Sequence, residues 1–92
     1  MAKVEREITD KKLEKYLNIS ETALKSVQAL DKHGETCIDM AQRYVDDAKH
    51  YRDKGDIVTA FAAVNYAHGW LDSGARCGHI KVLAHKEFFT ID

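Results

Sequence analysis

The sequence contains no proline, only two cysteines and no long apolar run. Proline is the residue that helices tolerate least, so its absence favours helix along the whole chain. Two cysteines are too few for a scaffold held together by disulfide bonds. No apolar run approaches the roughly 20 residues that a membrane-spanning helix needs, and no segment resembles a signal peptide. These absences predict a cytoplasmic, largely helical protein that has no membrane partner.

Neither positive nor negative charge is in excess. Fourteen Lys and Arg residues stand against fifteen Asp and Glu residues, which leaves a net charge of -1. Proteins that hold nucleic acid mainly by electrostatics need a basic surface, so the charge balance argues against nucleic acid as a partner. Ninety-two residues, 45% of them hydrophobic, suffice for one core. We therefore expect a single domain over residues 1–92.

The first two segments of the chain each show the apolar spacing of an amphipathic helix, at intervals of three and four residues. The first helix is predicted over about residues 10–32 and the second over about residues 35–54. Lys32, His33 and Gly34 have the character of a helix end, since basic groups are followed by a residue that accepts left-handed backbone. The apolar face of the first helix comprises Leu13, Tyr16, Leu17, Ala23, Leu24, Val27 and Leu30.

Gly55 ends the second helix, and Asp56 can cap a third helix that runs over residues 57–78 or longer. Loops this short force neighbouring helices to lie alongside one another. The predicted fold is therefore all-α, a three-helix up-down-up bundle with a short C-terminal tail.

The third helix is apolar on nearly all sides, since residues 57–71 contain no Lys, Arg, Asp or Glu. Two neighbouring helices cannot cover every side of it. Ala63, Tyr66 and Trp70 are therefore predicted to form an exposed ridge that pairs with a second copy or another protein. The alternative is a tail that folds over this ridge, through Phe88, Phe89 and Ile91.

A polar stripe follows the same helix if the helix continues beyond Gly78. Its members, at helical spacing, are Asn65, His68, Asp72, Arg76 and His79. Such a stripe can be a groove in which Asp72 orients a histidine and Arg76 holds a phosphate or carboxylate. The interpretation that the sequence favours is the other one, in which the stripe is the single solvated side of an apolar helix and carries an ordinary surface ion pair.

Two further patterns allow chemical interpretations. Arg43 and His50 resemble the Arg–His motif of HEPN-type helical ribonucleases, or they lie on an ordinary solvated face. Asp47 and His50 match one half of a paired carboxylate–histidine metal motif, without the second half that such sites need. Cys37 and Cys77 are predicted to be free thiols, and a disulfide bond between them is the alternative.

The run from Asp47-Ala48-Lys49 through Gly55-Asp56 and Ala60-Phe61 to the segment 65–72 (Asn-Tyr-Ala-His-Gly-Trp-Leu-Asp) is distinctive. It resembles a family of short archaeal proteins catalogued as a domain of unknown function. The resemblance covers about residues 10–78 and implies a helical bundle in an archaeal cytoplasm. It implies no activity, substrate, cofactor or catalytic residue. Related domains fused to nucleotidyltransferase-like domains make an accessory role beside such an enzyme an alternative.

A second likeness, to one tetratricopeptide unit, rests on Gly55-Asp56 and the small residues that follow. One copy cannot form a solenoid, so we interpret the likeness as shared helix packing. Together, the patterns favour a non-catalytic module that self-associates or docks on a partner through the third helix. The alternative is a nucleotide- or RNA-binding protein, or a ribonuclease, that uses the polar stripe or the Arg43/His50 pair.

Overall fold

The structure, a computed structural model, describes residues 7–89 of the chain. Three helices of 16, 22 and 20 residues dominate it, and they confirm the prediction of a mostly helical protein. Two three-residue strands and a short 3-10 turn were not predicted. The elements are α1 (Asp10–Lys25), β1 (Val27–Ala29), α2 (Lys32–Asp53), α3 (Ile57–Arg76), β2 (Ile80–Val82) and the 3-10 turn (Lys86–Phe88).

Helix α1 ends at Lys25, well before the residue 32 that the apolar spacing predicts. The hydroxyl of Ser26 donates to the carbonyl of Thr22 at 2.7 Å, and its N–H donates to the carbonyl of Ala23. A serine that bonds back to the preceding turn competes with the continuation of a helix. Val27 therefore lies in a strand, and Leu30 is 56% exposed instead of belonging to the apolar face.

Helix α2 begins three residues earlier than expected, because Asp31 is its N-cap. Oδ1 of Asp31 accepts a hydrogen bond from the N–H of Gly34 at 2.8 Å. Gly34 is thus part of the first turn of α2, and the prediction that it ends α1 was wrong. Glycine is needed there because a Cβ would collide with the carbonyl oxygen of His79.

The turn between α2 and α3 follows the sequence prediction. Gly55 has a φ of 85°, a left-handed conformation that favours glycine. The N–H of Asp56 donates to the carbonyl of Tyr51, and Oδ1 of Asp56 accepts from the N–H of Thr59 at 3.1 Å. These bonds satisfy backbone groups at both helix ends, so a turn of three residues suffices.

Helix α3 ends at Arg76, and it does not continue past Gly78 as the sequence allowed. Gly78 has a φ of 82°, and the N–H of His79 donates to the carbonyl of Gly74 at 2.9 Å. This six-residue closure terminates the helix. His79 therefore lies off α3, and the chain enters β2 immediately afterwards.

Strands β1 and β2 form an antiparallel pair in which Val27 lies opposite Val82 and Ala29 opposite Ile80. Backbone bonds lengthen the pair at both ends: Leu30 donates to His79 at one end, and Leu83 to Ser26 at the other. The pair therefore fastens the chain after α1 to the chain after α3.

The core lies between the three helices, with α2 and α3 in the most extensive contact. Its largest side chains are Leu13, Leu17, Leu71, Val45, Val64 and Cys37, all 2% exposed or less. Ion pairs join α1 to α2 at the surface, Glu14 to Arg52 at 3.2 Å and Glu21 to Lys49 at 3.3 Å. One side of α3 remains uncovered by these contacts.

Candidate functional site

An open groove of about 630 Å³ runs along the uncovered side of α3. We call it the α3 groove. Its lining comprises Ala62, Asn65, Tyr66, Gly69, Trp70 and Ser73. None of these side chains is charged at neutral pH, so the groove offers apolar and neutral polar surface.

The groove follows from residue size at helical spacing. Ala62, Tyr66, Gly69 and Ser73 recur at intervals of four, three and four residues, which places them along one seam of α3. Three of these four residues are small. A Cβ at Gly69 would meet no atom within 4 Å, so this position is an open notch in the helix surface.

Tyr66 is the large residue of the seam, and it is 57% exposed. One edge of its ring is supported, because the ring of Tyr44 on α2 lies 4.6 Å away, centroid to centroid, at an angle of 59°. Aromatic pairs at this separation contribute about 0.5–1.5 kcal/mol beyond their buried area, so the contact favours this position of the Tyr66 ring. Tyr66 therefore stands beside the Gly69 notch as a partly fixed aromatic projection.

Trp70 differs from the exposed ridge residue that the sequence predicted. It is half-buried, as is Ala63, and both pack against the core cluster. The indole Nε1 of Trp70 is covered and has no hydrogen-bond partner among the described residues. Of the three predicted ridge residues, Tyr66 alone is largely exposed.

The C-terminal tail lies on a different side of α3. Phe89 is 7% exposed, and its ring centroid lies 6.0 Å from that of His68. His68 follows Tyr66 by two residues, so it faces nearly the opposite direction. The expected return of Phe88 and Phe89 onto apolar surface is confirmed, but the tail up to Phe89 leaves the groove open. Ile91 lies outside the described residues.

The predicted polar stripe is divided by the structure. Asn65 lines the α3 groove, whereas the half-buried His68 and Asp72 do not line it, and their Nε2 and Oδ2 atoms lie 3.8 Å apart. Arg76 is the last residue of α3, and its exposed side chain stands at that end. His79 belongs to a separate group of residues.

That group gathers at the start of α2. Nδ1 of His79 lies 2.7 Å from Oδ2 of Asp31, and the ring of His33 lies 4.4 Å from the ring of His79. The hydrogen bond to His79, aided by the N–H of Gly34, lowers the pKa of the Asp31 carboxyl below its ordinary value. The sequence did not predict this cluster, because it depends on β2 returning beside β1.

The other candidates for chemistry stand apart from the groove. Nε of Arg43 forms an exposed ion pair with Asp39 at 3.0 Å, and the ring of His50 packs edge-on against Tyr51. Within residues 7–89, no three His, Cys, Asp or Glu side chains gather closely enough to hold a metal ion. Both thiols are free; Cys37 is buried and Cys77 is exposed. Burial raises the pKa of the Cys37 thiol, and the nearby Asp31 and Cys77 add to the effect.

Gly69 and Ser73 were not singled out from the sequence, although they complete the groove. The four-three-four spacing with Ala62 and Tyr66 could have identified them, since it is the spacing of a helix-contact seam. No helix among the described residues has the length and apolar character required to cross a membrane.

Comparison with known protein families shows what the chain is similar to. A family model described as "Protein of unknown function (DUF357)" matches residues 15–80, which include all of α2 and α3. No curated protein matches the chain. No solved structure matches it either.

Proposed function

We propose that this chain, which belongs to the DUF357 family of proteins of unknown function, is a non-catalytic interaction module. Its contact surface is the α3 groove. The observation that carries the proposal is an exposed aromatic, Tyr66, beside an open notch at Gly69, on a helix surface without charge. Exposed apolar surface of this kind is typical of sites that contact other proteins.

The chemistry of the groove favours contact over catalysis. Its lining holds no carboxylate, imidazole, thiol or ammonium group, so it lacks the acid–base pair and the activated nucleophile that most reactions require. The His68–Asp72 pair, which could serve such a purpose, is not part of the groove lining. A partner that fills a groove of this composition displaces water from it and gains apolar contacts.

The proposal takes the three helices as one domain that runs up, down and up. Contacts between α1 and α2 support this arrangement, since Glu14 meets Arg52 and the later Glu21 meets the earlier Lys49. Between α2 and α3, Tyr44 contacts Tyr66, and a Cβ at Gly74 would lie 3.2 Å from Cβ of Cys37. In this arrangement α3 presents its outer face to solvent along most of its length. The setting that we propose is the cytoplasm of an archaeal cell.

The test compares two variants in the cells that naturally produce the protein. Tyr66→Glu places a charge in the groove, and Leu83→Glu places one at a position of matched exposure, 56% against 57%. The apparent size of the tagged protein is measured by gel filtration of fresh extract. We expect wild type and Leu83→Glu to elute above monomer size and Tyr66→Glu to elute as a monomer.

Circular dichroism of each purified variant establishes that its helix content is retained. Wild type that elutes as a monomer in extract, or a Tyr66→Glu variant that elutes with wild type, would contradict the proposal.

A further inference from the structure

We infer that the occupant of the α3 groove is the α3 helix of a second copy, running antiparallel, with Tyr66 of each copy opposite Gly69 of the other. This inference rests on the proposed function and specifies the partner. It predicts a homodimer with a twofold axis that passes between positions 67 and 68 of the two helices. Stepping four residues outward, Ala62 of one copy is then level with Ser73 of the other.

Residue size supports the antiparallel direction. The seam has one large side chain, Tyr66, and a notch at Gly69 where a Cβ would meet nothing within 4 Å. In a parallel twofold pair, Tyr66 would face Tyr66 and the notch would face a notch, which leaves a clash and a void. In the antiparallel pair, each tyrosine ring occupies the other copy's notch, as a knob occupies a hole.

Charge supports both the second copy and the direction. Residues 57–71 carry no charged side chain, so two copies of this surface meet without opposing like charges. Asp56 stands at the first end of α3 and Arg76 at the last. A parallel pair would bring Asp56 of one copy near Asp56 of the other, and Arg76 near Arg76. The antiparallel pair instead brings Asp56 of one copy towards Arg76 of the other. In the antiparallel pair the two helix dipoles also point in opposite directions, which is the favourable arrangement.

The available area sets the strength of the dimer. A stable interface of standard size buries about 800 Å² on each partner. That would be about one-eighth of the accessible surface of the chain, which is 6266 Å². The seam from Val58 to Arg76 is about 27 Å long, so one helix face supplies less than this area. We therefore expect a dissociation constant in the micromolar range rather than a permanent dimer.

The first experiment measures association of the purified protein alone, by sedimentation equilibrium from low to high micromolar concentration. Gly69→Arg fills the notch with a charged side chain; the position is exposed and open, and arginine favours helix more than glycine does. We expect this variant to weaken dimerisation at least about tenfold. Leu83→Glu, on the chain after β2, should dimerise as wild type does, and circular dichroism confirms that both variants remain folded.

The second experiment tests direction and register. In the antiparallel pair, Ala62→Glu/Ser73→Lys sets opposite charges level with each other twice, whereas a parallel pair would set like charges together. We expect this double variant to dimerise within about threefold of wild type. The matched double variant Ala62→Glu/Ser73→Glu should be monomeric at the same concentrations. In a parallel pair both double variants would set like charges together. An equal loss of dimerisation in the two variants would therefore overturn the antiparallel register.

Other outcomes are equally decisive. Wild type that stays monomeric at high micromolar concentration, or Gly69→Arg that dimerises as wild type does, would overturn the second copy as occupant. If the same wild type elutes above monomer size in cell extract and Tyr66→Glu does not, the proposed function survives and the partner is a different protein. Failure in both purified protein and extract removes the proposed function as well.

Discussion

The imidazole of His79 contacts the carboxylate of Asp31 across a separation of 48 residues in the chain. The same carboxylate caps α2, through its other oxygen and the N–H of Gly34. One aspartate therefore joins the first turn of α2 to the segment that follows α3. This link fixes the strand pair relative to the helices, and it gives the protein a specific sensitivity to acid.

The first prediction concerns that sensitivity. The pKa of the Asp31 carboxyl is lower in the folded protein than its ordinary value of 3.8, chiefly because of the bond to His79. The stabilisation is therefore complete above pH 3.8 and is lost as the pH falls below it, through the folded-state pKa. Asp31→Asn keeps a capping oxygen but removes the charge. We expect the variant to be less stable than wild type at neutral pH, with a difference that shrinks below pH 3.8.

Urea unfolding followed by circular dichroism at a series of pH values measures this difference. A difference that stays constant down to pH values well below 3.8 would contradict the assignment of the charge to stability.

The second prediction concerns the close approach of two backbones. Gly34→Ala places a methyl group against the carbonyl of His79, so β2 or the first turn of α2 must shift. We expect the free energy of unfolding to fall by about 1–3 kcal/mol, as overpacking usually costs. Gly69→Ala is the matched control. Because it lies in an open helical position, it should raise the stability of the monomer by about 0.5–1 kcal/mol.

Thermal and urea unfolding of both glycine variants, at concentrations too low for association, give the comparison. Equal stabilities for the two variants would show that the chain near His79 adjusts without cost.

The third prediction concerns the core. Leu71 has no exposed surface and lies between α3 and its neighbours, so Leu71→Ala should lower the free energy of unfolding by about 2–5 kcal/mol. Leu30, which the apolar spacing had placed in the same class, is 56% exposed. Leu30→Ala should change the stability by less than about 0.5 kcal/mol. Urea titrations of the two variants distinguish this core from the one that the sequence predicted.

The fourth prediction concerns the two thiols. Cys77 is exposed, whereas Cys37 is buried and the pKa of its thiol is raised by that burial. The thiolate is the reactive form of cysteine. A disulfide reagent should therefore modify Cys77 rapidly and Cys37 only when the protein opens. Replacing Cys77 with serine should remove the fast phase and leave the slow one. A fast phase that persists in this variant would contradict the burial of Cys37.

The helices could be predicted from the sequence because their signals are local. The apolar spacing of Leu13 and Leu17 identifies α1, and Gly55 followed by Asp56 supplies both ends of the turn between α2 and α3. Each signal involves groups within a few residues of one another. Such groups act in the same way whatever the remainder of the chain does.

The strands could not be predicted because their signals are not local. Val27 continues the apolar spacing of α1, and only the arrival of β2 gives its backbone another partner. From its local sequence, Gly34 resembles the glycine that ends a helix. The carbonyl of His79, which lies against Gly34 and explains the glycine, comes from a distant part of the chain. At both Val27 and Gly34, a tertiary contact overrides the structure that the local sequence favours.

The candidate site was partly predictable for the same reason. An exposed aromatic side chain on the uncharged stretch of residues 57–71 followed from composition and spacing, and Tyr66 is exposed as predicted. Whether Trp70 faces water depends on tertiary packing, and its contacts with the core cluster leave it half-buried. The fate of His79 depended on the backbone conformation of one residue, Gly78.

The strand pair also constrains the order in which the molecule assembles. Val27 and Val82 can meet only after the chain between them, which includes all of α2 and α3, has become compact. Closing so long a loop is entropically unfavourable, whereas α2 and α3 meet across a turn of three residues. Substitutions between α2 and α3 should therefore slow folding, while substitutions in β1 or β2 should mainly speed unfolding. We therefore expect the two short strands to pair last during folding and to separate first during unfolding.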